Sequence, residues 1–322
     1  MLFNLRMVSI GRFLPKTVVT NDMLADVVDT SDEWITSRTG IKSRHYVDDE
    51  STESMAIEAA KLALARAEIA RQDISVVIVA TSTPDTICPS VACTVSNVLG
   101  LSEHVKAFDL NAACSGFVYA LDVAKNLLGA SGYALVIGSD TVTRMIDFTD
   151  RSSCILFGDG AGAVVMAADG RSYNHVAGRV NDTDHALVWR GLPKPSNPFI
   201  SRVDQASNLL CMDGKEVFRF AVDKVAESID QVTNSAGVSL EDVDYFVCHQ
   251  ANSRILTAAA KKLDIVQDKF FTNIAHCGNT SSASIPLALD EMIERGLLKR
   301  GMKLVLAGFG AGLAYGATYL EY

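Results

Sequence analysis

The chain has 322 residues, of which 48% are hydrophobic and 21% are charged, and its formal net charge is −9. That composition is typical of a folded protein with a large core, and it excludes a disordered chain. The acidic balance disfavours a nucleic-acid-binding protein, and the lack of an apolar run of about 20 residues disfavours a membrane span. Because the first residues lack the apolar segment of a secretory signal, we expect a cytoplasmic protein.

Helical and strand patterns alternate along the chain. Residues 55–67 (MAIEAAKLALARA) are rich in Ala and Leu at helical spacing, and residues 76–81 (VVIVAT) are mostly β-branched. Further strands are predicted at 105–110, 134–138, 163–166, 245–248 and 304–307. Since these runs are apolar on both faces and are separated by helices, they predict a buried sheet in an α/β fold.

One helix–strand pattern occurs twice, at an offset of 169 residues. The paired segments are DISVVIVA (73–80) with DVDYFVCH (242–249), and YALVIGS (133–139) with MKLVLAG (302–308). A constant offset predicts an internal duplication, with halves at 1–171 and 172–322. The polar, proline-containing residues 181–208 predict an irregular connection in the second half.

Loops at the carboxyl ends of strands are where such folds place their chemistry. Three segments are candidates for these loops: NAACSGF (111–117), VCHQAN (247–252) and HCGNTSSAS (276–284). The seven cysteines include no C-x-x-C pair, so the sequence predicts neither a structural zinc site nor a redox motif. Cys114 opens an apolar helix, whose positive end favours the thiolate. The alternative is a cysteine that only packs in the core.

Two further polar residues occupy similar junctions. His249 ends a predicted strand, where a histidine is usually a satisfied polar residue, and Asn279 precedes an Ala-rich helix, where it can be part of a cap. Together with Cys114 they suit papain-like proteolysis or decarboxylative condensation. The context NAACSGF does not match the papain pattern, so condensation is favoured.

The motifs of the chain resemble those of the β-ketoacyl-acyl-carrier-protein synthase III family. They are DTSDEWITSRTGI (29–41), NAACSGF, FGDGAGA (157–163), CHQAN and GNTSSAS, in the family's order along nearly the whole chain. The resemblance implies a thiolase-like fold of five α-β-α-β-α layers, formed by two similar halves and assembled as a homodimer.

The resemblance also implies a reaction. A starter acyl-CoA acylates Cys114, and malonyl-acyl-carrier protein then condenses with the acyl group and loses CO2. His249 and Asn279 are the implied decarboxylation pair, and the asparagine distinguishes this initiating branch from elongating enzymes, which use two histidines. No cofactor or metal is implied, since the CoA thioester is a substrate.

Other site residues are implied by position in the family's motifs. The CoA-binding set is Thr30, Trp34, Arg38, Arg151, Gly214, Phe218 and Asn252, with the adenine between Trp34 and Arg151. The carrier-protein docking set is Arg219, Gln250, Arg254, Lys261 and Lys262, for which a solvated helix face is the alternative reading. Ile87 and Cys88 would form the floor of the partner's acyl pocket. The small Cys88 side chain predicts starters longer than acetyl.

The glycine-rich residues 308–316 (GFGAGLAYG) resemble a dinucleotide loop, but a β-like run follows where that motif needs a helix. The family resemblance instead makes this an active-site loop whose Ala311 N–H completes an oxyanion hole with that of Cys114. Two other functions are kept as alternatives: a specialised condensing enzyme of secondary metabolism and a non-catalytic acyl-CoA or carrier-protein binder. The intact Cys114, His249 and Asn279 disfavour the binder.

Overall fold

A computed structural model describes residues 5–128, 132–168, 172–189 and 209–322. Residue 171, at the predicted boundary between the halves, lies outside the described residues, as do residues 190–208 of the predicted connection. In the described ranges, no helix combines the length and the apolar composition needed to cross a membrane. The cytoplasmic location stays a prediction.

Helices and strands alternate as the sequence predicts. The described strands are β1 (Leu5–Phe13), β2 (Thr17–Thr20), β3 (Ser43–Tyr46), β4 (Ile74–Ala80), β5 (Lys106–Leu110), β6 (Tyr133–Asp140), β7 (Gly160–Ala168), β8 (Tyr173–Arg179), β9 (Leu187–Val188), β10 (Cys211–Met212), β11 (Tyr245–Cys248), β12 (Lys303–Gly310) and β13 (Ala314–Glu321). The described helices are α1 (Asn21–Ala25), α2 (Asp32–Thr39), α3 (Thr52–Ala67), α4 (Val91–Leu99), α5 (Gly116–Leu128), α6 (Arg151–Cys154), α7 (Gly214–Ala236), α8 (Ser253–Lys262), α9 (Ile274–Cys277) and α10 (Ser284–Glu294).

One helix begins earlier than its pattern predicts. The pattern of residues 221–236, which repeats that of the helix at 55–67, predicts a helix there, whereas α7 already begins at Gly214. The side chain of Asp213 accepts hydrogen bonds from the N–H groups of Lys215 and Glu216, and this cap adds nearly two turns before the periodic apolar face begins.

Two mixed sheets share one topology. The first has the order β1-β7-β6-β4-β5 and the second β8-β13-β12-β11. In each sheet one pair of strands is parallel, β4 with β6 or β11 with β12, and the next strand, β7 or β13, is antiparallel to that pair. In the described second sheet β11 is an edge strand, whereas β4 of the first sheet also pairs with β5. The matching orders agree with the internal duplication, while the boundary at 171/172 stays a prediction.

The layers follow from where the apolar faces are buried. Helices α5 and α10 lie between the sheets, where α5 contacts β4, β6, β12 and β13, and α10 contacts β1, β7 and β11. Helices α3 and α4 cover the outer face of the first sheet, and α7 and α8 cover that of the second. This is the five-layered thiolase-like arrangement that the family resemblance implies.

Short 3₁₀ turns join the central helices to the opposite sheet. Residues Ala113–Ser115 precede α5, and residues Ser281–Ala283 precede α10. A Cβ atom at Gly138 of β6 would lie 3.1 Å from the Cα of Ala283, and one at Gly308 of β12 would lie 3.0 Å from the Cα of Ser115. The turn of each half therefore packs on the central strand of the other half at a glycine that leaves room for it.

Candidate active site

A cavity of about 620 Å³ lies between the two halves and reaches the surface beside α2 and α8. The predicted site residues that line it are Trp34, Arg38, Cys114, Gly214, Phe218, His249, Asn252, Arg254 and Asn279. The other predicted site residues are not among its lining residues: Thr30, Ile87, Cys88, Arg151, Arg219, Gln250, Lys261, Lys262 and Ala311. The three chemistry-bearing loops therefore converge on one space.

Cys114 lies in the turn before α5, at the N-terminal end of this central helix. The preceding residue, Ala113, has the positive φ of 48° that an L-residue adopts only at a cost. The thiol donates a hydrogen bond to the hydroxyl of Ser281, with the two atoms 3.4 Å apart. Burial raises the pKa of the Cys114 thiol to about 12. Desolvation therefore opposes the stabilisation of the thiolate that the helix terminus offers, and the resting group near pH 7 is the thiol.

His249 follows β11 directly and is 1% exposed. Its Nδ1 lies 2.7 Å from the hydroxyl oxygen of Ser284, and its ring meets that of Phe309 edge-on, with centroids 5.0 Å apart. Burial lowers the pKa of His249 to about 3, so the imidazole is neutral near pH 7. The Ser284 oxygen also accepts the N–H of Gln250, at 3.4 Å. Its own hydrogen is then free to bond Nδ1, which assigns the ring proton to Nε2.

Asn279 is held by both its backbone and its side chain. Its N–H donates to the carbonyl of Leu156, and its carbonyl accepts from the N–H of Gly158, each at 2.9 Å. Its Oδ1 accepts the N–H of Ser281 at 3.0 Å. Because the amide oxygen is occupied, the Nδ2 group is the part of the side chain that can donate to a ligand in the cavity.

The end of β12 lies against the nucleophile. A Cβ atom at Gly310 would lie 2.8 Å from the backbone nitrogen of Cys114, so only glycine leaves space beside that N–H group. Ala311 comes next and is not among the described non-glycine residues with positive φ. Its backbone therefore suits alanine, and its N–H stays a predicted second donor of an oxyanion hole.

The predicted CoA-binding residues meet at the cavity mouth. The guanidinium carbons of Arg38 and Arg151 each lie 4.9 Å from the ring centroid of Trp34. Stacked groups need about 3.5 Å per layer, so a base between Trp34 and Arg151 requires Arg151 to move off the ring. Asn252 caps α8 and donates to the carbonyl of Arg38. The Thr30 hydroxyl is buried and has no partner in the described part of the chain.

The predicted docking residues divide into exposed and buried members. Arg219, Arg254, Lys261 and Lys262 are exposed on α7 and α8, where Arg219 pairs with Glu216 and Lys262 with Asp223. Gln250 is fully buried. Its carboxamide bonds the carbonyls of Cys248 and Phe271 and the N–H of Asn273. Its assignment to carrier-protein docking was therefore wrong, because its side chain is consumed in fixing the loop after His249.

Ile87 and Cys88 lie in the segment between β4 and α4, away from the cavity of their own chain. The Ile87 residue is 75% exposed, and Cys88 is exposed as well. Neither residue can therefore bound the cavity within a single chain, and any role in an acyl pocket requires a second copy.

One cluster of potential metal ligands occurs among the described residues. One ligand atom each from His276, Cys277 and Glu291 lies within 4.8 Å of the others. Hydrogen bonds to Cys277 and Glu291 raise the pKa of His276 to about 10, and Glu291 also pairs with Arg12 and Arg295. We assign the cluster to an ion-pair network, because its carboxylate is already shared among cationic groups.

Four residues of the site were missed by the sequence reasoning as individual positions: Ser281, Ser284, Phe309 and Gly310. The run of small polar residues in HCGNTSSAS was the available signal for Ser281 and Ser284, but it reads equally as a helix cap. Their partners, Cys114 and His249, are distant in the chain, so no local pattern indicates the contacts.

Known proteins resemble this chain over its full length. Residues 108–184 match the family described as 3-oxoacyl-[acyl-carrier-protein (ACP)] synthase III, and residues 233–322 match its C-terminal family. The β-ketoacyl-[acyl-carrier-protein] synthase III of Clostridium beijerinckii is 44% identical over 99% of both chains.

Solved structures agree with this similarity. The 3-oxoacyl-[acyl-carrier-protein] synthase III of Aquifex aeolicus VF5 has a TM-score of 0.91 at 40% identity, covering 99% of this chain and 100% of that one. The priming β-ketosynthase of the R1128 polyketide biosynthetic pathway has a TM-score of 0.86 at 33% identity, covering 98% and 96%.

Proposed function

The chain belongs to the β-ketoacyl-[acyl-carrier-protein] synthase III family of thiolase-fold acyltransferases, and from this premise we propose that it condenses a starter acyl-CoA with malonyl-acyl-carrier protein through an acyl-Cys114 intermediate. The observation that carries the proposal is the convergence of Cys114, His249 and Asn279 on one cavity. The product would be a β-ketoacyl-carrier protein, the first intermediate of fatty-acid synthesis.

In the first half-reaction, the acyl group is transferred from the sulfur of CoA to the sulfur of Cys114. The sulfur attacks the thioester carbonyl, the bond from that carbon to the CoA sulfur breaks, and the thiol proton leaves with CoA as its thiol. The raised pKa of Cys114 means that proton loss accompanies the attack on a bound starter rather than preceding it. The N-terminus of α5 and the N–H group of Cys114, beside Gly310, would stabilise the negative charge on the carbonyl oxygen.

In the second half-reaction, the malonyl thioester loses CO2 and its thioester oxygen becomes an enolate oxygen. His249, through Nε2–H, and Asn279, through Nδ2, are the two neutral donors for that oxygen. The lowered pKa of His249 keeps the ring uncharged, so it donates a hydrogen bond without delivering its proton to the enolate. The enolate carbon then attacks the acyl carbonyl, and the sulfur of Cys114 departs with the electron pair of the broken bond.

The substrates proposed here fit the surfaces around the cavity. Trp34, Arg38 and Arg151 offer a flat ring and two cations for the nucleotide end of CoA. Arg254 lines the cavity, and Lys261 is exposed two turns further along α8. Their positive charge would steer an acidic carrier protein to a chain of net charge −9. The reaction draws on no resident cofactor, because the CoA thioester is itself a substrate.

A homodimer is part of the proposal. Strand β5 has one neighbour, β4, in the described sheet, so its other edge presents backbone groups that a second copy can pair with. The exposed Ile87 lies in the same half, and a second copy would cover it. Light scattering coupled to size exclusion measures the assembly, and a monomer at micromolar concentration would contradict this part.

The decisive experiment follows both half-reactions. Acetyl-CoA is incubated with the enzyme, the Cys114 peptide is weighed by mass spectrometry, and release of labelled CO2 is followed after malonyl-acyl-carrier protein is added. We expect an acetyl adduct on that peptide, followed by CO2 release and loss of the adduct. A chain that binds acyl-CoA without forming the adduct would be a binder, and the enzyme proposal would fail. Cys114→Ala is the control for both signals.

A specialised condensing enzyme of secondary metabolism is the second candidate, favoured by the likeness to the R1128 priming β-ketosynthase. The higher identity to relatives named β-ketoacyl-[acyl-carrier-protein] synthase III favours the first candidate. Rates with the carrier protein of fatty-acid synthesis, compared with a polyketide carrier protein, separate the two.

A further inference from the structure

Asp140 is a fully buried acid at the last position of β6 that the reaction steps above do not use. Five donors surround it. Its Oδ1 accepts from the hydroxyls of Thr81 and Thr83 and from the N–H of Ser82, at 2.8–3.1 Å. Its Oδ2 accepts the N–H and the hydroxyl of Ser282, at 3.1 and 2.6 Å. An ionised carboxylate has about four acceptor positions and no donor, so this surrounding fits the charged form.

The donors come from both halves of the molecule. Residues 81–83 follow β4 in the first half, whereas Ser282 belongs to the turn before α10 in the second half. The neighbouring Ser281 has a φ of 52°, receives the thiol hydrogen bond of Cys114 and donates its N–H to the amide oxygen of Asn279. The carboxylate therefore holds the turn through which the nucleophile and the decarboxylation amide are positioned.

The duplication provides a reference for this contact within the same chain. In the sheets, Val76 pairs with Ala134 and Tyr245 with Leu304, so β6 and β12 correspond one residue away from the offset of 169 in the sequence, and Asp140 corresponds to Gly310. Ser282 and Cys114 occupy the same place in the turns before α10 and α5. In one half, a carboxylate oxygen lies 3.1 Å from the Ser282 nitrogen. In the other half, the position beside the Cys114 nitrogen holds no side chain because residue 310 is glycine. Beside Ser282, the Asp140 carboxylate thus occupies the position equivalent to the one that a thioester oxygen would take beside Cys114.

We propose that Asp140 is a positioning residue for the condensation, which fixes the turn bearing Ser281 and so orients Asn279 and the hydroxyl that bonds the Cys114 thiol. The inference rests on the proposed function, since it assigns no separate reaction. Burial is the largest cause of the raised pKa of Cys114; the Ser281 hydrogen bond opposes it, and the Asp140 charge raises that pKa further. A thiol that stays protonated also resists alkylation and oxidation.

Three variants of the full enzyme separate charge from position. Asp140→Asn removes the charge and two or more acceptor contacts in an isosteric side chain. Ser282→Ala keeps the charge of Asp140 and removes one of its five hydrogen-bond donors, the Ser282 hydroxyl. Asp109→Asn is the matched control, because Asp109 is a partly buried acid of the first half whose oxygens accept the N–H groups of Val91 and Ala92 at the start of α4.

Two readouts are recorded for each variant, beside a thermal melt. The first is the pH dependence of Cys114 alkylation by iodoacetamide, and the second is CO2 release from malonyl-acyl-carrier protein by enzyme already acetylated on Cys114. For Asp140→Asn we expect the alkylation profile to move to lower pH by on the order of one unit, and CO2 release to fall at least about tenfold. For Ser282→Ala we expect slower CO2 release with an unmoved alkylation profile, and for Asp109→Asn neither change.

CO2 release like that of the Asp109→Asn control in a folded Asp140→Asn enzyme would overturn the proposal, whereas an unmoved alkylation profile would exclude the charge effect alone. If that variant does not fold, Ser282→Ala decides, and CO2 release equal to wild type overturns the positioning role. The wild-type enzyme is run alongside. When it forms the acetyl adduct and releases CO2, a negative result concerns Asp140 alone, whereas a wild type that does neither contradicts the proposed function itself.

Discussion

The Nδ1 atom of His249 lies 2.7 Å from the hydroxyl oxygen of Ser284, at the first residue of the central helix α10. The matching contact of the first half joins Ala80 to Gly116 at the start of α5, where a Cβ on the glycine would lie 3.1 Å from the alanine Cβ. The apolar contact between Ala80 and Gly116 in the first half is thus replaced in the second half by the hydrogen bond between His249 and Ser284. This difference makes the second half the one that orients an imidazole.

Replacing Ser284 by Ala should weaken decarboxylation without preventing acylation. The hydroxyl places the ring proton of His249 on Nε2, and its net contribution as one hydrogen bond of about 1 kcal/mol predicts a fall of about fivefold in CO2 release. Ser96→Ala is the control, since the Ser96 hydroxyl is also buried but bonds only the Ala92 carbonyl within α4. If the two substitutions lowered CO2 release equally, Ser284 would have no role in setting the tautomer of His249.

The rate of CO2 release in Asn279 variants should depend on the charge that the new side chain places near the enolate. Asn279→Ala removes one donor and should lower CO2 release by about 10²–10³, and His249→Ala should do the same. Asn279→Asp replaces the donor with a carboxylate that repels the enolate, so its rate should be no higher than that of Asn279→Ala. Acetylation of Cys114 should persist in all three enzymes. Loss of acetylation would contradict the assignment of His249 and Asn279 to the decarboxylation step.

Alkylation of the free enzyme should report the protonation of Cys114. The raised pKa of about 12 means that the thiolate fraction increases about tenfold per pH unit between pH 6 and 9, without a plateau. Iodoacetamide labelling rates at fixed ionic strength measure this slope, with Cys114→Ala as the background. A plateau near pH 7 would indicate that the resting group is a thiolate, and the helix terminus would then be the dominant effect.

Trp34 should affect the binding of acyl-CoA and not the chemistry that follows. Removal of its ring in Trp34→Ala deprives Arg38 and Arg151 of their stacking partner. At about 1–3 kcal/mol per stacked base, the KM for acetyl-CoA should rise roughly tenfold while the KM for malonyl-acyl-carrier protein is unchanged. Trp34→Phe keeps an aromatic face, so its KM for acetyl-CoA should lie between those of the wild type and Trp34→Ala. A KM that does not change for acetyl-CoA would exclude this ring from the site.

Cys88 should influence which starters are accepted. Neither it nor Ile87 bounds the cavity of its own chain, so the effect requires the homodimer proposed above. Initial rates with acetyl-, butyryl-, isobutyryl- and octanoyl-CoA are compared for the wild type, Cys88→Phe and the size-matched control Cys88→Ser. We expect the wild type to use starters longer than acetyl and Cys88→Phe to lose the longest of them first. A wild type restricted to acetyl would contradict the deeper pocket.

Local patterns of apolar spacing, glycine and small polar residues were enough to predict the α/β elements, the repeat and the loops that carry Cys114, His249 and Asn279. The bounds of β11 agree with the prediction because its apolar run ends at the polar His249 and Gln250.

The protonation and the contacts of those residues could not be predicted in this way, because burial and contacts across the two halves depend on packing between segments that are distant in the chain. Packing raises the pKa of Cys114 where the local helix alone predicts a thiolate, and it lowers the pKa of His249. It also buries Gln250, which the family resemblance had implied for carrier-protein docking. The carboxylate of Asp140 meets Ser282 across 142 residues of sequence, a distance over which no periodic pattern extends.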